Sequence, residues 1–206
     1  MTESYLYVVF SSTPYRMGAF IRRFTGYAFN HVSVCLHDRL EPLYSFARHY
    51  YHAPFYGGFV KESLLRYHAN GRTAHIRVFR IPVSPEQHAK LRLGIEDMLL
   101  QQEQYLYNHL SALTVPFRKT VKAADAYTCI EYCVQLLHSI GLNITPGVFY
   151  SLKDLEQLLL PYEYYTGPAP QSDTYDASFY APKPLPHPIR TSLSAFFALF
   201  KRLNAQ

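Results

Sequence analysis

The stretch 125-DAYTCIEYCVQLLHSIG-141 constrains this chain most, because it specifies a helix with almost no face to show to water. Thr128 stands as N-cap with Glu131 three residues on, a capping box, and Gly141 stops the helix. Between them Ile130, Cys133, Val134, Leu136, Leu137 and Ile140 leave only Glu131, Gln135 and His138 as a narrow polar stripe. Such a helix belongs in the centre of a core, covered on nearly every side. Its first residue, Cys129, is then held rigidly where unpaired N–H groups and the positive end of the helix dipole favour a thiolate, the nucleophilic form of a thiol. Cys133, a full turn inside, reads as a small core residue. A metal pair of Cys129 and Cys133 is possible by spacing but lacks further ligands nearby, and nothing in the sequence points to a cofactor.

The rest of the chain offers a sheet for this helix to pack on. Tyr5 to Ser11 is β-branched and aromatic and reads as a strand. A short helix is expected over Met17 to Phe24, closed by Gly26. From His31 to His37 the residues alternate, with Val32, Val34 and Leu36 on one face and His31, Ser33, Cys35 and His37 on the other. HDRLEP supplies a turn and LYSFAR a returning strand. After Gly57-Gly58 the run FVKESLLRYH reads as a short helical segment, and Thr73 to Ile81 as another strand. Ser84-Pro85-Glu86-Gln87 is a second capping box, opening a helix expected to reach about Tyr107, with a further short helix over Ser151 to Leu160.

These signals predict one α+β domain over residues 1–160. Residues 161–188 carry seven of the chain's 14 prolines with many tyrosines and are expected as an extended arm, ordered where its aromatic residues pack on the body. Residues 189–206 form an amphipathic helix with Leu193, Phe196, Phe197, Phe200 and Leu203 on one stripe. Three cysteines, an odd count, suit a reducing compartment better than a disulfide framework. MTESYLYVVFSSTPYR has no basic segment before its apolar run and no small-residue cleavage site, and reads as a first strand, not a signal peptide. No apolar run approaches the ~20 residues that span a bilayer, so a cytoplasmic location is expected. The net charge of +5 comes from scattered Lys and Arg without a nucleic-acid motif, which sets nucleic acid aside as a partner.

A nucleophilic cysteine needs a base, and among ten histidines His31 stands out at the start of a regular strand, after Phe29 and Asn30. Taken in order, 30-NHVSVCL-36, YSFAR after a turn, GGFVKE, and YTCIEYCVQLL about 100 residues after the histidine carry a resemblance. The chain resembles the circularly permuted branch of the NlpC-type, papain-like cysteine peptidase and amidase superfamily, a branch that includes bacterial amidases and the lecithin retinol acyltransferase group. The resemblance spans about residues 5 to 160. It implies a papain-like (permuted NlpC-type) fold, with a central nucleophile-bearing helix packed on an antiparallel sheet that carries the base. Carried over, Cys129 is the nucleophile and His31 the base. The group that orients the histidine departs from the pattern. Asp38 and Glu41 lie too far along the chain, and Ser45 on the returning strand is the best polar candidate, with Arg48 and His49 behind it.

The reading this supports is a cysteine hydrolase, an amidase or peptidase, acting on a small peptide-like substrate. Two alternatives stay open. One is an acyltransferase or thioesterase on lipid substrates, with peripheral membrane contact through residues 189–206, where Arg190, Lys201 and Arg202 accompany the Phe-rich stripe. The other is a binding module of the same fold without turnover. The oligomeric state is not encoded in any motif.

Overall fold

The computed structural model describes residues 3–69, 71–172, 177–181 and 187–203. Its centre is an antiparallel sheet built from β1 (Ser4–Ser11), β2 (His31–Cys35), β3 (Leu43–Arg48), β4 (Gly57–Glu62), β5 (His75–Val83) and β6 (Glu163–Pro168). They lie in the order β6-β5-β1-β2-β3-β4. Val34 of β2 faces Val8 of β1 on one side and Tyr44 of β3 on the other, so β2 is an interior strand. All five of its residues are buried, where alternation alone predicts a half-buried strand. The sheet is covered on both faces.

One face carries helices. Val8, Phe10, Val32, Val34, Phe46, Phe59 and Phe79 meet α2 (Pro85–Leu100), α3 (Cys129–Ser139) and α4 (Leu152–Leu159) in one continuous core. Leu137 and Leu155 are fully buried there, and each side chain of this kind contributes about 1.5–3 kcal/mol by leaving water. The capping boxes at Ser84 and Thr128 form as the sequence predicts. The other face is closed by Leu40, Leu64, Tyr67 and Ala74 against Tyr7, Val9, Cys35, Leu43 and Ile76. The α+β expectation, with an apolar helix packed on an antiparallel sheet, matches this architecture.

Two elements differ from expectation for physical reasons. The start of the helical segment expected over residues 59–68 belongs instead to strand β4, which is paired along its whole length with β3 from Leu43↔Glu62 to Arg48↔Gly57. Only Leu64–Tyr67 makes a short 3₁₀ turn. The two glycines are needed for backbone approach. A Cβ on Gly57 would lie 2.6 Å from the Ala47 carbonyl oxygen, and one on Gly58 2.2 Å from that of Tyr105. Gly58→Ala therefore has no flexible neighbour to displace, and urea denaturation should show a loss of about 1–3 kcal/mol. The second difference is α2, which stops at Leu100 instead of continuing to Tyr107. Gln102–Gln104 forms a 3₁₀ turn, and Leu106–Tyr107 pairs in parallel with Ala126–Tyr127, just before α3.

Within the proline-rich segment, Glu163–Pro168 adds the outer strand of the sheet. Its terminal proline is tolerated because an edge strand need not donate on its outer side. Further on, Phe179 is buried, its carbonyl accepts from the Tyr51 N–H at 2.9 Å, and the Arg66 guanidinium lies 4.1 Å from its ring centre. Residues 173–176 and 182–186 of the expected arm lie outside the described residues, as do 204–206 of the terminal segment. The last helix, α5 (His187–Leu203), packs through Ala195 and Leu199, with Leu199 and Leu203 set against Ala123 and Ala126. The expected stripe is mostly outside: Leu193, Phe197 and Phe200 are exposed. Among the described residues no helix is long and apolar enough to cross a membrane.

Candidate active site

The start of α3 is fastened before any chemistry is considered. Thr128 Oγ1 accepts from the Glu131 N–H at 3.2 Å, and Glu131 Oε2 accepts from the Thr128 N–H at 2.7 Å. The other Glu131 oxygen accepts from Ser111 Oγ, whose own N–H donates to Asn108 Oδ1 at 3.0 Å. Burial pushes the Glu131 carboxyl up, while the hydrogen bonds from Ser111 and Thr128 pull it down. Cys129, the first helical residue, is thereby fixed and is 7% exposed. Tyr107 stands nearby, half-buried, and burial followed by the proximity of Cys129 and Glu131 pushes its phenol up, which keeps it protonated.

The entry to β2 is fastened as well. Asn30 Oδ1 accepts from the Thr13 N–H at 3.0 Å and from Arg22 Nη1 at 2.5 Å, while its Nδ2 donates to Thr13 Oγ1 at 2.8 Å. Arg22 belongs to α1 (Arg16–Thr25), and Gly18 in the same helix makes room for this knot, since a Cβ there would lie 2.3 Å from Thr13 Oγ1. His31 follows directly, opposite Ser11 of β1.

His31 lies near enough to Cys129 for the sulfur to act on its ring, and the structure adds a group that sequence reasoning missed. His31 Nε2 donates to Glu62 Oε1 at 3.0 Å, and both residues are buried. With Nε2 on the carboxylate, Nδ1 is the ring nitrogen left for the sulfur. Burial disfavours the imidazolium, but the Glu62 charge, together with hydrogen bonding and charge from Cys129, overcomes it and raises His31 above the ordinary imidazole range. For Glu62, burial pushes up, and the stronger pull of His31, Arg66 and Ser45 holds the carboxyl well below the usual range. The pair is buried, its shifts run toward the charged form of each partner, and additional hydrogen bonds carry the carboxylate.

Ser45 is one of those hydrogen bonds. It is not the direct partner of the imidazole: its hydroxyl donates to Glu62 Oε1. Glu62 lies two strands from His31 and reaches over β3, where the small Ser45 leaves space for it. Tyr67 OH lies 3.4 Å from Glu62 Oε2 and 2.8 Å from Ser33 Oγ, which extends the polar layer under the pair. The remaining candidates are engaged elsewhere. Arg48 Nη1 donates to the Tyr51 carbonyl at 3.2 Å, and the His49 ring packs 4.8 Å from that of Tyr56. Glu41 accepts from Ser63 Oγ and the Leu64 N–H, at the start of the 3₁₀ turn. A signal for Glu62 did exist. It is the last residue of GGFVKE, and reading that run as a strand puts Gly58, Val60 and Glu62 on one face.

The other two thiols have a different character. Burial pushes Cys35 up to about 11, and Cys133 higher still. All three cysteines are free. Compared with protein families, with curated proteins and with solved structures, the chain matches none. The chemistry at this site therefore has to be argued from its own geometry. The site brings to one place a sulfur at a capped helix start, an imidazole near it and a buried carboxylate behind the imidazole.

Proposed function

We propose that this chain is a cysteine-dependent hydrolase, an amidase or peptidase with a permuted papain-like fold, acting on a small peptide-like amide. The observation that carries the reading is His31 held between Cys129 and Glu62, each delivered by an independently fastened element. In the proposed reaction His31 takes the Cys129 thiol proton as the sulfur attacks the amide carbonyl carbon and a C–S bond forms. The backbone N–H of Cys129 donates to the developing oxyanion. His31 gives its proton to the leaving nitrogen as the C–N bond breaks, and an amine departs. Water then attacks the thioester carbonyl as His31 takes its proton, the C–S bond breaks, and His31 returns the proton to the sulfur while a carboxylic acid leaves and ionises in water. Glu62 holds the imidazole in place and balances its charge whenever it is protonated. Ser45, on this reading, is a positioning residue for Glu62.

A carboxylate behind the histidine favours turnover over a binding module, because a serine alone would orient an imidazole more weakly. Three free thiols fit a reducing compartment, which supports a cytoplasmic site of action. Alkylation tests the reading directly. Iodoacetamide near neutral pH should modify Cys129 at least about tenfold faster than Cys35 or Cys133, read by peptide mass mapping, because burial pushes those two thiols away from the reactive thiolate form. Equal slow labelling of all three would remove the nucleophile from the proposal.

A further inference from the structure

We propose that α1 is a docking helix that seats this protein on an anionic lipid surface. The inference is independent of the chemistry at Cys129. Met17, Phe20 and Phe24 fall on one side of the helix and are 39%, 67% and 61% exposed. The Phe20 and Phe24 rings stack 6.3 Å apart with 17° between their planes, one continuous apolar surface facing outward. The opposite side of the helix does the structural work. Gly18 is buried, Ile21 and Arg22 are half-buried, and Arg22 donates to the Thr13 carbonyl at 3.0 Å as well as to Asn30.

Charge selects the partner. Arg16 and Arg23 are exposed and flank the stripe, and no acidic residue occurs between Glu3 and Asp38 in the sequence. An apolar stripe edged by arginines without any counter-charge matches an interface of lipid tails and anionic headgroups. It suits a neutral bilayer or an acidic-rimmed protein groove less well, since the first would waste the arginines and the second the stacked rings. The sequence pointed to residues 189–206 for membrane contact. There α5 also leaves Leu193, Phe197 and Phe200 exposed, but Arg202 Nη1 is committed to the Ala124 and Asp125 carbonyls at 3.0 and 3.2 Å. On α1 the apolar stripe and two arginines all remain outside. Asn30 links α1 to His31, so the docked helix and the candidate base are one residue apart in the hydrogen-bonded chain.

Flotation of the full chain with phosphatidylcholine vesicles, with and without phosphatidylglycerol, tests this. Binding should require phosphatidylglycerol and weaken as salt rises. The double variants Phe20→Ser/Phe24→Ser and Arg16→Glu/Arg23→Glu should each lower partitioning by roughly tenfold or more, while Leu193→Ser/Phe197→Ser on α5 leaves it unchanged. Circular dichroism melting should be the same for all, because every altered side chain is exposed or rims the surface. Absence of vesicle binding by the intact protein overturns the proposal, as does full binding by Phe20→Ser/Phe24→Ser. Light scattering that shows a dimer dispersed by the same variant, without vesicle binding, also overturns it and assigns the stripe to a second copy of the chain.

Discussion

Cys129→Ala is expected to reduce amine release from peptide-like amides, muropeptide fragments among them, by about a thousandfold or more, because no other group at the site can form the covalent intermediate. The expected effect on stability is small, within about 1 kcal/mol, since the thiol is replaced by a methyl group of similar volume and the capping box of Thr128 and Glu131 is untouched. Thermal melting and single-turnover assays on the same preparation separate the two effects. Cys129→Ser keeps a hydroxyl in the same place and should also be inactive or nearly so, because a hydroxyl is far harder to deprotonate than a thiol. Turnover retained by Cys129→Ala would move the chemistry to another site. Turnover lost together with folding would say only that Cys129 is structural, and unaltered melting guards against that reading.

Glu62 gives the second large effect, on activity and stability together. Glu62→Gln keeps the shape and an oxygen for Ser45 to bind but removes the charge that faces the imidazolium. Loss of an orienting carboxylate should lower kcat by about a hundredfold or more, with KM little changed. The pH dependence gives a signature that a merely structural residue would not. His31 is raised on folding above its ordinary 6.5, so its contribution is fully present below that value and is lost as pH rises through the elevated folded value. Glu62 is lowered from its ordinary 4.5, so its contribution is fully present above that value and is lost as pH falls through the depressed folded value. The stability difference between the unmodified protein and Glu62→Gln should therefore peak between about 4.5 and 6.5 and shrink on both sides. A difference independent of pH would mean that no charged pair exists in the folded state. Breaking one member of a buried pair costs about 3–5 kcal/mol when the other must stay charged. His31 can give up its proton, which places the expected loss below that range.

The two predictions rest on residues that differ in how far sequence alone could find them. Cys129 was legible because everything that places it is local: a hydroxyl at 128, a carboxylate at 131 and an apolar run after them. His31 was legible through the regular alternation that follows it. Glu62 was not, and the reason is the ambiguity of FVKESLLRYH, whose apolar spacing fits a helical stripe as well as a strand. Pairing with β3 decides between them, and that pairing depends on two glycines allowing the Tyr105 and Ala47 carbonyls to approach. Ser45 was found on the correct strand but given the wrong neighbour, because the carboxylate that intervenes comes from a strand whose position in the sheet is set by tertiary packing.

The helices repeat the lesson. That residues 16–25 and 187–203 are amphipathic follows from their spacing alone. Which stripe faces inward does not, because close approach depends on small residues at the contact: Gly18 beside Thr13, and Ala123 and Ala126 beneath Leu199 and Leu203. What the sequence by itself determined was the set of local commitments: capped helix starts, alternating strands, and a thiol held at the N-terminus of a buried helix. Only the tertiary structure decided that a glutamate two strands away completes the imidazole's surroundings and that the stacked phenylalanines of α1 face outward. Hydrogen bonds within a turn are written in neighbouring residues. Contacts across a sheet are set by register and twist, which emerge only when the whole core is packed.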